Sequence, residues 1–223
     1  MSPKLTFASV TLKDLTAVIN LQERDAFTQA WVGATHITLT PDEQQQLERL
    51  KSHLINEKLH LLNEATLWAR AIYPMLLIAE QGNVRAWSEV PLQARYSSFE
   101  AEGIADGVLG RSVAGRLEAP YLIVVETKRG IENQNPIFQL YAQLLAAARL
   151  NWELNGREPQ ILFGCYTIAD SWTFVRAVVS DIEGAQPTLQ VEASREYRET
   201  SDAEIILKIL KGIVNHFLAD QAE

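Results

Sequence analysis

Three residues in the middle of the chain carry the chemistry that type and spacing argue most directly: Asp106, Glu126 and Lys128. Tyr121, Leu122, Ile123, Val124 and Val125 form a continuous apolar run, which reads as a central strand covered on both faces and ends in Glu126 and Lys128. Residues two apart in a strand share a face, so the carboxylate and the ammonium project together while Thr127 points away. Asp106 stands among Ile104, Val108 and Leu109, where a charge is costly without a partner. If its strand pairs with that of Glu126, the two carboxylates converge. Two carboxylates at a sheet end suit Mg2+ (or Mn2+), since such a hard ion prefers oxygen ligands and keeps waters for substrate and nucleophile. A lysine beside them can serve the attacking water or the phosphate. Taken alone, E-x-K is short and common, and a salt-bridged strand end accounts for it equally well.

Carboxylates of this kind need a frame. Thr40, Pro41 and Glu43 make a capping-box start, followed by a leucine stripe at Leu47, Leu50, Leu54 and Leu61. Residues 61–80 read as a helix buried on several sides, kinked or restarted at Pro74. Strands are predicted at 83–96 and 102–109 with a turn at Ser97, Ser98 and Phe99, and Gly107, Gly110 and Gly115 read as a loop. Ile137, Leu140, Tyr141, Leu144, Leu145 and Ala148 give a helix over 136–152. Two more strands are predicted at 160–168 and 172–179. Ser201 and Glu204 then open a last helix that buries Ile206, Ile209, Ile213 and Phe217. The first 39 residues are mixed, with a short helix predicted over 12–22. The expectation is a mixed α/β fold: a core of helix, three strands, helix and strand, with a mixed central sheet flanked by helices. Residues 1–60 are expected to form a helical extension packed on the core domain, 61–223.

On these residues the chain resembles the PD-(D/E)xK, or restriction-endonuclease-like, nuclease superfamily, and within it the nuclease domain of type I restriction enzyme R subunits and small stand-alone bacterial relatives. The likeness covers residues 47–179. It rests on Gly103-Ile-Ala-Asp106-Gly, Val124-Val-Glu126-Thr-Lys128, Phe138-Gln139-Leu-Tyr-Ala-Gln143-Leu-Leu, and the hairpin Phe163-Gly-Cys-Tyr-Thr-Ile-Ala-Asp-Ser-Trp-Thr-Phe174. The resemblance implies a restriction-endonuclease-like core and a metal-dependent endonuclease or exonuclease acting on nucleic acid, DNA foremost. In that reading Asp106 and Glu126 hold Mg2+ (or Mn2+), Lys128 serves the water and Gln139 supports the site. Glu64 is implied as a further metal contact, although a Glu in a first helical turn can also simply favour the helix dipole.

Family members often carry a Gln and, four residues on, a Tyr on the helix after the E-x-K strand. Here Gln139 fits and position 143 is Gln. Backbone contacts to nucleic acid would then rest on Gln143, or the two glutamines are merely a polar face. Glu89 is a weaker acidic candidate, with a cross-strand ion pair as its other reading. Arg111, Arg116 and Arg129 would form the local basic patch for nucleic acid, or are solvated loop arginines.

The net charge of −8 argues against a protein that coats nucleic acid through a broad basic surface, yet leaves room for an enzyme with a local basic patch. At 47% hydrophobic and 22% charged residues, the chain has an ordinary globular composition rather than a disordered one. Its apolar runs are too short to cross a bilayer and no signal region opens it, so the expectation is a cytoplasmic protein without a membrane partner. The single Cys165 lies in a predicted strand and reads as core, and the four histidines show no metal-ligand spacing. No phosphate-binding Gly-x-x-x-x-Gly-Lys loop and no Gly-x-Ser-x-Gly elbow occur. A homodimer or a larger restriction-type complex is compatible with the resemblance. The alternative function is a catalytically vestigial domain serving as a nucleic-acid or protein interaction module. A small-molecule phosphodiesterase is a weaker third.

Overall fold

The computed structural model describes residues 3–24, 36–128 and 135–220. Its strands are β1 Lys4–Thr6, β2 Asn20–Arg24, β3 Val84–Arg95, β4 Glu100–Val113, β5 Arg116–Lys128, β6 Gln160–Ile168, β7 Ser171–Ser180 and β8 Thr188–Arg198. The helices are α1 Leu12–Val18, α2 Pro41–Leu54, α3 Glu64–Leu67, α4 Tyr73–Ile78, α5 Pro136–Asn155 and α6 Glu199–Asp220, with a π-helical turn at Trp68–Ile72 between α3 and α4. The fold is mixed α/β. Among the described residues it has an eight-stranded mixed sheet in the order β1-β4-β5-β6-β7-β8-β2, with β3 pairing β4.

Helices cover both faces. One core joins α1 and α5 to Val108 of β4, Val124 of β5, Leu162 of β6 and Val175 of β7. The other joins α2, α4 and α6 to Leu109, Ile123, Val125 and Cys165. Alternate residues of β5 therefore feed opposite cores, as period-two geometry requires of a strand covered on both sides. β5 and β6 are parallel, and α5 makes the crossover between them.

Several sequence expectations hold in detail. Thr40 accepts from the Glu43 backbone N–H, and Glu43 accepts in turn from that of Thr40, which closes the capping box of α2. Leu47, Leu50 and Leu54 are buried, and Pro74 restarts the helix as α4. The strands β3, β6 and β7 and the helix α5 stand where periodicity puts them.

Others need correcting. The short helix over 12–22 stops at Val18 because residues 20–24 form β2, pairing parallel with β8. The first 60 residues thus also contribute strands β1 and β2 to the sheet. Leu61 leaves the leucine stripe; it sits on a 3-10 turn and is 66% exposed.

The expected glycine loop is instead the continuation of β4, which runs to Val113 before Ala114 and Gly115, both at positive φ, turn the hairpin into β5. Gly107 and Gly110 serve close packing: a Cβ on Gly107 would lie 2.2 Å from Trp68 Cη2, and one on Gly110 2.6 Å from Leu117 Cδ1. β8 was not expected. α6 begins at Glu199 with a kink at Asp202, whose carboxylate accepts the Arg198 N–H at 3.0 Å, so Asp202 does the capping assigned to Ser201.

No helix among the described residues is long and apolar enough to cross a membrane.

Candidate active site

The sheet divides where the acids lie. β1 pairs with β4 at Glu100, Ala101 and Glu102, whereas β5 pairs with it from Gly107 onward. The intervening β4 residues, Gly103 to Asp106, pair with neither strand and lie at the opening where β5 parts from β4. Gly103, at φ +150°, lies against the Phe7 ring, so close that a Cβ would sit 2.7 Å from Phe7 Cδ2. The β4–β5 ladder ends at the Gly107–Val125 pair, one residue short of both Asp106 and Glu126. Beyond it, the Thr127 backbone N–H, freed from the ladder, donates to Asp106 Oδ2 at 2.6 Å. β5 stays attached on its other side, since Glu126, Thr127 and Lys128 pair with Tyr166, Thr167 and Ile168 of β6. One edge of β5 is paired here, and among the described residues the other carries no strand partner at Glu126 to Lys128.

Glu126 is 3% exposed. One of its oxygens meets Lys128 Nζ at 3.0 Å, and the other accepts from Gln143 Nε2 of α5 at 2.6 Å. Burial raises the Glu126 pKa, opposed by the Lys128 cation and the Gln143 bond. Burial and the neighbouring Glu126 charge push Asp106 up to about 7, against the lowering effect of the Thr127 bond and of Lys128. Burial works to depress Lys128, but the charge and hydrogen bond of Glu126, together with the charges of Glu64 and Asp106, outweigh it and its pKa is raised, so it stays a cation. The structure thus brings Asp106, Glu126, Lys128 and Gln143 together.

Gln139 lies one turn before Gln143 on α5. Because α5 runs back along β5, this turn is nearer the Lys128 end of the strand. Gln139 is 5% and Gln143 0% exposed, so the pair is not a solvated polar face. The Oε1 atom of each is buried without a hydrogen-bond partner among the described residues, which is uncommon for buried amides.

Glu64 is exposed at the start of α3, after Asn63, whose side chain caps the turn by accepting from the Thr66 N–H at 2.8 Å. Its charge is felt at Asp106, Glu126 and Lys128. It borders the cluster without entering it. Glu89 is opposite Asp106 in the β3–β4 register, at a left-handed φ of 52° where the pairing skips one residue. No ion pair of Glu89 occurs among the described residues.

The arginines are not gathered here. Arg111 pairs with Glu118 at 3.5 Å, and its place five residues along β4 puts it about 17 Å from Asp106. Arg116 opens β5 at the far end of the hairpin, about 33 Å from Glu126 at 3.3 Å per residue. Arg129 lies outside the described residues.

Two further contributors lie outside the sequence expectation. Thr127 acts through its backbone N–H, which no residue type advertises. Trp68 of the π-turn covers Gly107, next to Asp106; an aromatic four residues after Glu64 in an apolar helix was a readable sign.

Among the described residues, no group of three or more His, Cys, Asp and Glu side chains is arranged to hold a metal ion. The donor set that does converge is two hard carboxylates, each disfavoured as an anion by its burial. A divalent cation would relieve both, so their chemistry fits Mg2+. No protein-family model and no curated protein matches this chain.

Proposed function

We infer that this protein is a metal-dependent nuclease of the restriction-endonuclease-like kind, hydrolysing phosphodiester bonds of nucleic acid, with DNA as the first substrate to test. The observation that carries the reading is the meeting of Asp106 and Glu126 at the opening between β4 and β5, with the Lys128 ammonium 3.0 Å from Glu126. The order of elements from α3 through β3, β4, β5 and α5 to β6 supports the same reading.

Asp106 and Glu126 would hold Mg2+ or Mn2+, which supplies charge neutralisation at the phosphate and an acidified water. The protein's own groups do the rest. The Thr127 N–H fixes the Asp106 carboxylate, and Gln143 with Lys128 fixes that of Glu126. Lys128 is a cation beside the acids, where it can leave Glu126 to bind a phosphate oxygen or orient the water. Gln139, buried one turn closer to Lys128, brings an amide to the same end.

Cleavage of single-stranded and duplex DNA and RNA with Mg2+, with and without EDTA, tests this. Low ionic strength suits the assay, because an acidic protein holds phosphates weakly. Wild-type protein should cut at least one of the four, and Asp106→Asn none. An inert wild type would overturn the reading.

A second reading has its own support. Lys128 and Gln143 between them engage both Glu126 oxygens, as in a self-sufficient buried ion pair. A vestigial interaction module would keep that arrangement, would need no metal, and would bind nucleic acid or protein equally well in EDTA.

A further inference from the structure

We propose that the cavity between the C-terminal ends of α5 and α6, where β5 and β6 begin, binds a small aromatic anion, with Arg157 as the partner of its charge. The site is separate from the acid pair and stands without the nuclease reading. Tyr121, on its wall, comes five residues before Glu126 on β5, about 17 Å away along the strand.

The cavity holds about 630 Å3, inside the range of about 300–1,000 Å3 usual for small-molecule sites. It wraps round the end of the sheet, with Leu154 of α5 and Phe217 of α6 on its walls. Hydrogen bonds pin those walls. Asn151 of α5 accepts the Tyr121 backbone N–H at 2.8 Å and donates to the Tyr121 carbonyl at 3.0 Å, which fixes α5 to the start of β5. Gln160 Nε2, at the start of β6, donates to Asn155 Oδ1 at 2.9 Å and to the Arg157 carbonyl at 2.6 Å. A hollow held in this way leaves little to order when a ligand enters.

The lining selects the ligand. Tyr121, Phe163 and Phe217 bring three aromatic residues, and Leu154 and Ile161 remain 56% and 50% exposed beside them. Covering such side chains with a flat apolar body removes them from water. Charge fixes the other half of the ligand. In a chain of net charge −8, no Asp or Glu lines this cavity, whereas Arg157 and His216 do. The acids nearest in sequence are engaged elsewhere: Glu118 with Arg111 at 3.5 Å, Glu153 with Arg149 at 2.9 Å, and Glu158 with the Ile182 N–H at 3.0 Å. Arg157 is exposed, and its guanidinium has no ion pair or hydrogen bond among the described residues. Nor is that charge needed to close α5, because the Gly156 N–H already returns to the Trp152 carbonyl at 2.7 Å. An unpaired guanidinium beside an apolar hollow suits a carboxylate, sulfonate or phosphate carried on a ring.

The test titrates the full chain with anilinonaphthalene sulfonate and with phenylnaphthylamine, the same ring system without the sulfonate, each read by the fluorescence it gains in an apolar site. Wild type should take up the sulfonate with a Kd of about 10–100 μM, as expected of a ligand of that size. Arg157→Gln should weaken the sulfonate about 10-fold, the loss that goes with a hydrogen bond to a charged group, and leave the amine unchanged. Leu154→Glu, at an exposed position that the fold tolerates, should weaken both probes. Leu77→Glu, in the separate hollow between α2 and α4, should weaken neither. Far-ultraviolet circular dichroism should show all three variants folded as wild type is. A wild type that takes up neither probe would overturn the proposal. So would an Arg157→Gln protein that loses both probes equally or neither, or binding that is lost in Leu77→Glu and kept in Leu154→Glu.

Discussion

The Gln143 amide reaches from α5 to a Glu126 carboxylate oxygen at 2.6 Å, and Gln143 is wholly buried. At position 143 this protein places a donor that engages the acid near the end of β5 directly. Gln143 thus belongs to the carboxylate rather than to an outward-facing surface for nucleic acid.

Gln143→Met keeps the volume and removes that donor. The variant should be destabilised by about 1–3 kcal/mol, the usual effect of stripping a buried acceptor of its partner. Urea unfolding at pH 8, where Glu126 is most ionised, measures it. An unchanged midpoint would mean that Lys128 alone satisfies the carboxylate.

Asp106 predicts a pH dependence. Its folded pKa is raised from 3.8 to about 7, so between those values the folded state keeps a proton that the unfolded state releases. Stability of the metal-free protein must therefore fall as pH rises through that window. Asp106→Asn, which can still accept the Thr127 N–H, removes this loss. In EDTA the variant should exceed wild type by about 2 kcal/mol at pH 8, discounted for partial exposure, and lose that advantage near pH 4. Thermal unfolding of both proteins across pH 4–8 checks the crossover.

Glu199 is a second such group, away from the acid pair. It is 0% exposed at the start of α6, accepts the Trp172 indole N–H at 2.9 Å, and leaves Oε1 unpartnered among the described residues. Burial pushes its pKa up to about 8. Its contribution likewise declines as pH rises from 4.5 to about 8, because the buried carboxyl must ionise. Glu199→Gln should gain about 4–5 kcal/mol over wild type at pH 9 and nothing at pH 4. Mg2+ should leave the difference intact, which separates Glu199 from Asp106.

What could be read from the sequence follows the strength of local signals. The strand ending in Glu126 and Lys128 was legible because an unbroken apolar run must be covered on both faces. α2 and α5 were legible through capping chemistry and 3.6-residue spacing. β8 was not: Gln190, Glu192, Ser194 and Glu196 have little strand preference, and pairing with β7 and β2 makes them a strand. The glycines of β4 misled in a physical way. Gly107 is there for the Trp68 ring rather than for a turn, and no local pattern distinguishes those uses. At the site, residue type and spacing were enough for Asp106, Glu126 and Lys128. The division of the sheet, the Thr127 N–H and the separation of Arg111 and Arg116 are tertiary facts. They depend on where β5 parts from β4, which neither strand encodes alone.

The most direct test of the account is an anomalous difference map from a crystal soaked in Mn2+. A metal-dependent site at the opening between β4 and β5 predicts a peak within about 2.3 Å of a carboxylate oxygen from both Asp106 and Glu126, absent from Asp106→Asn crystals soaked in the same way. A wild-type map with no peak between these two residues, with Lys128 and Gln143 still on Glu126, would contradict it.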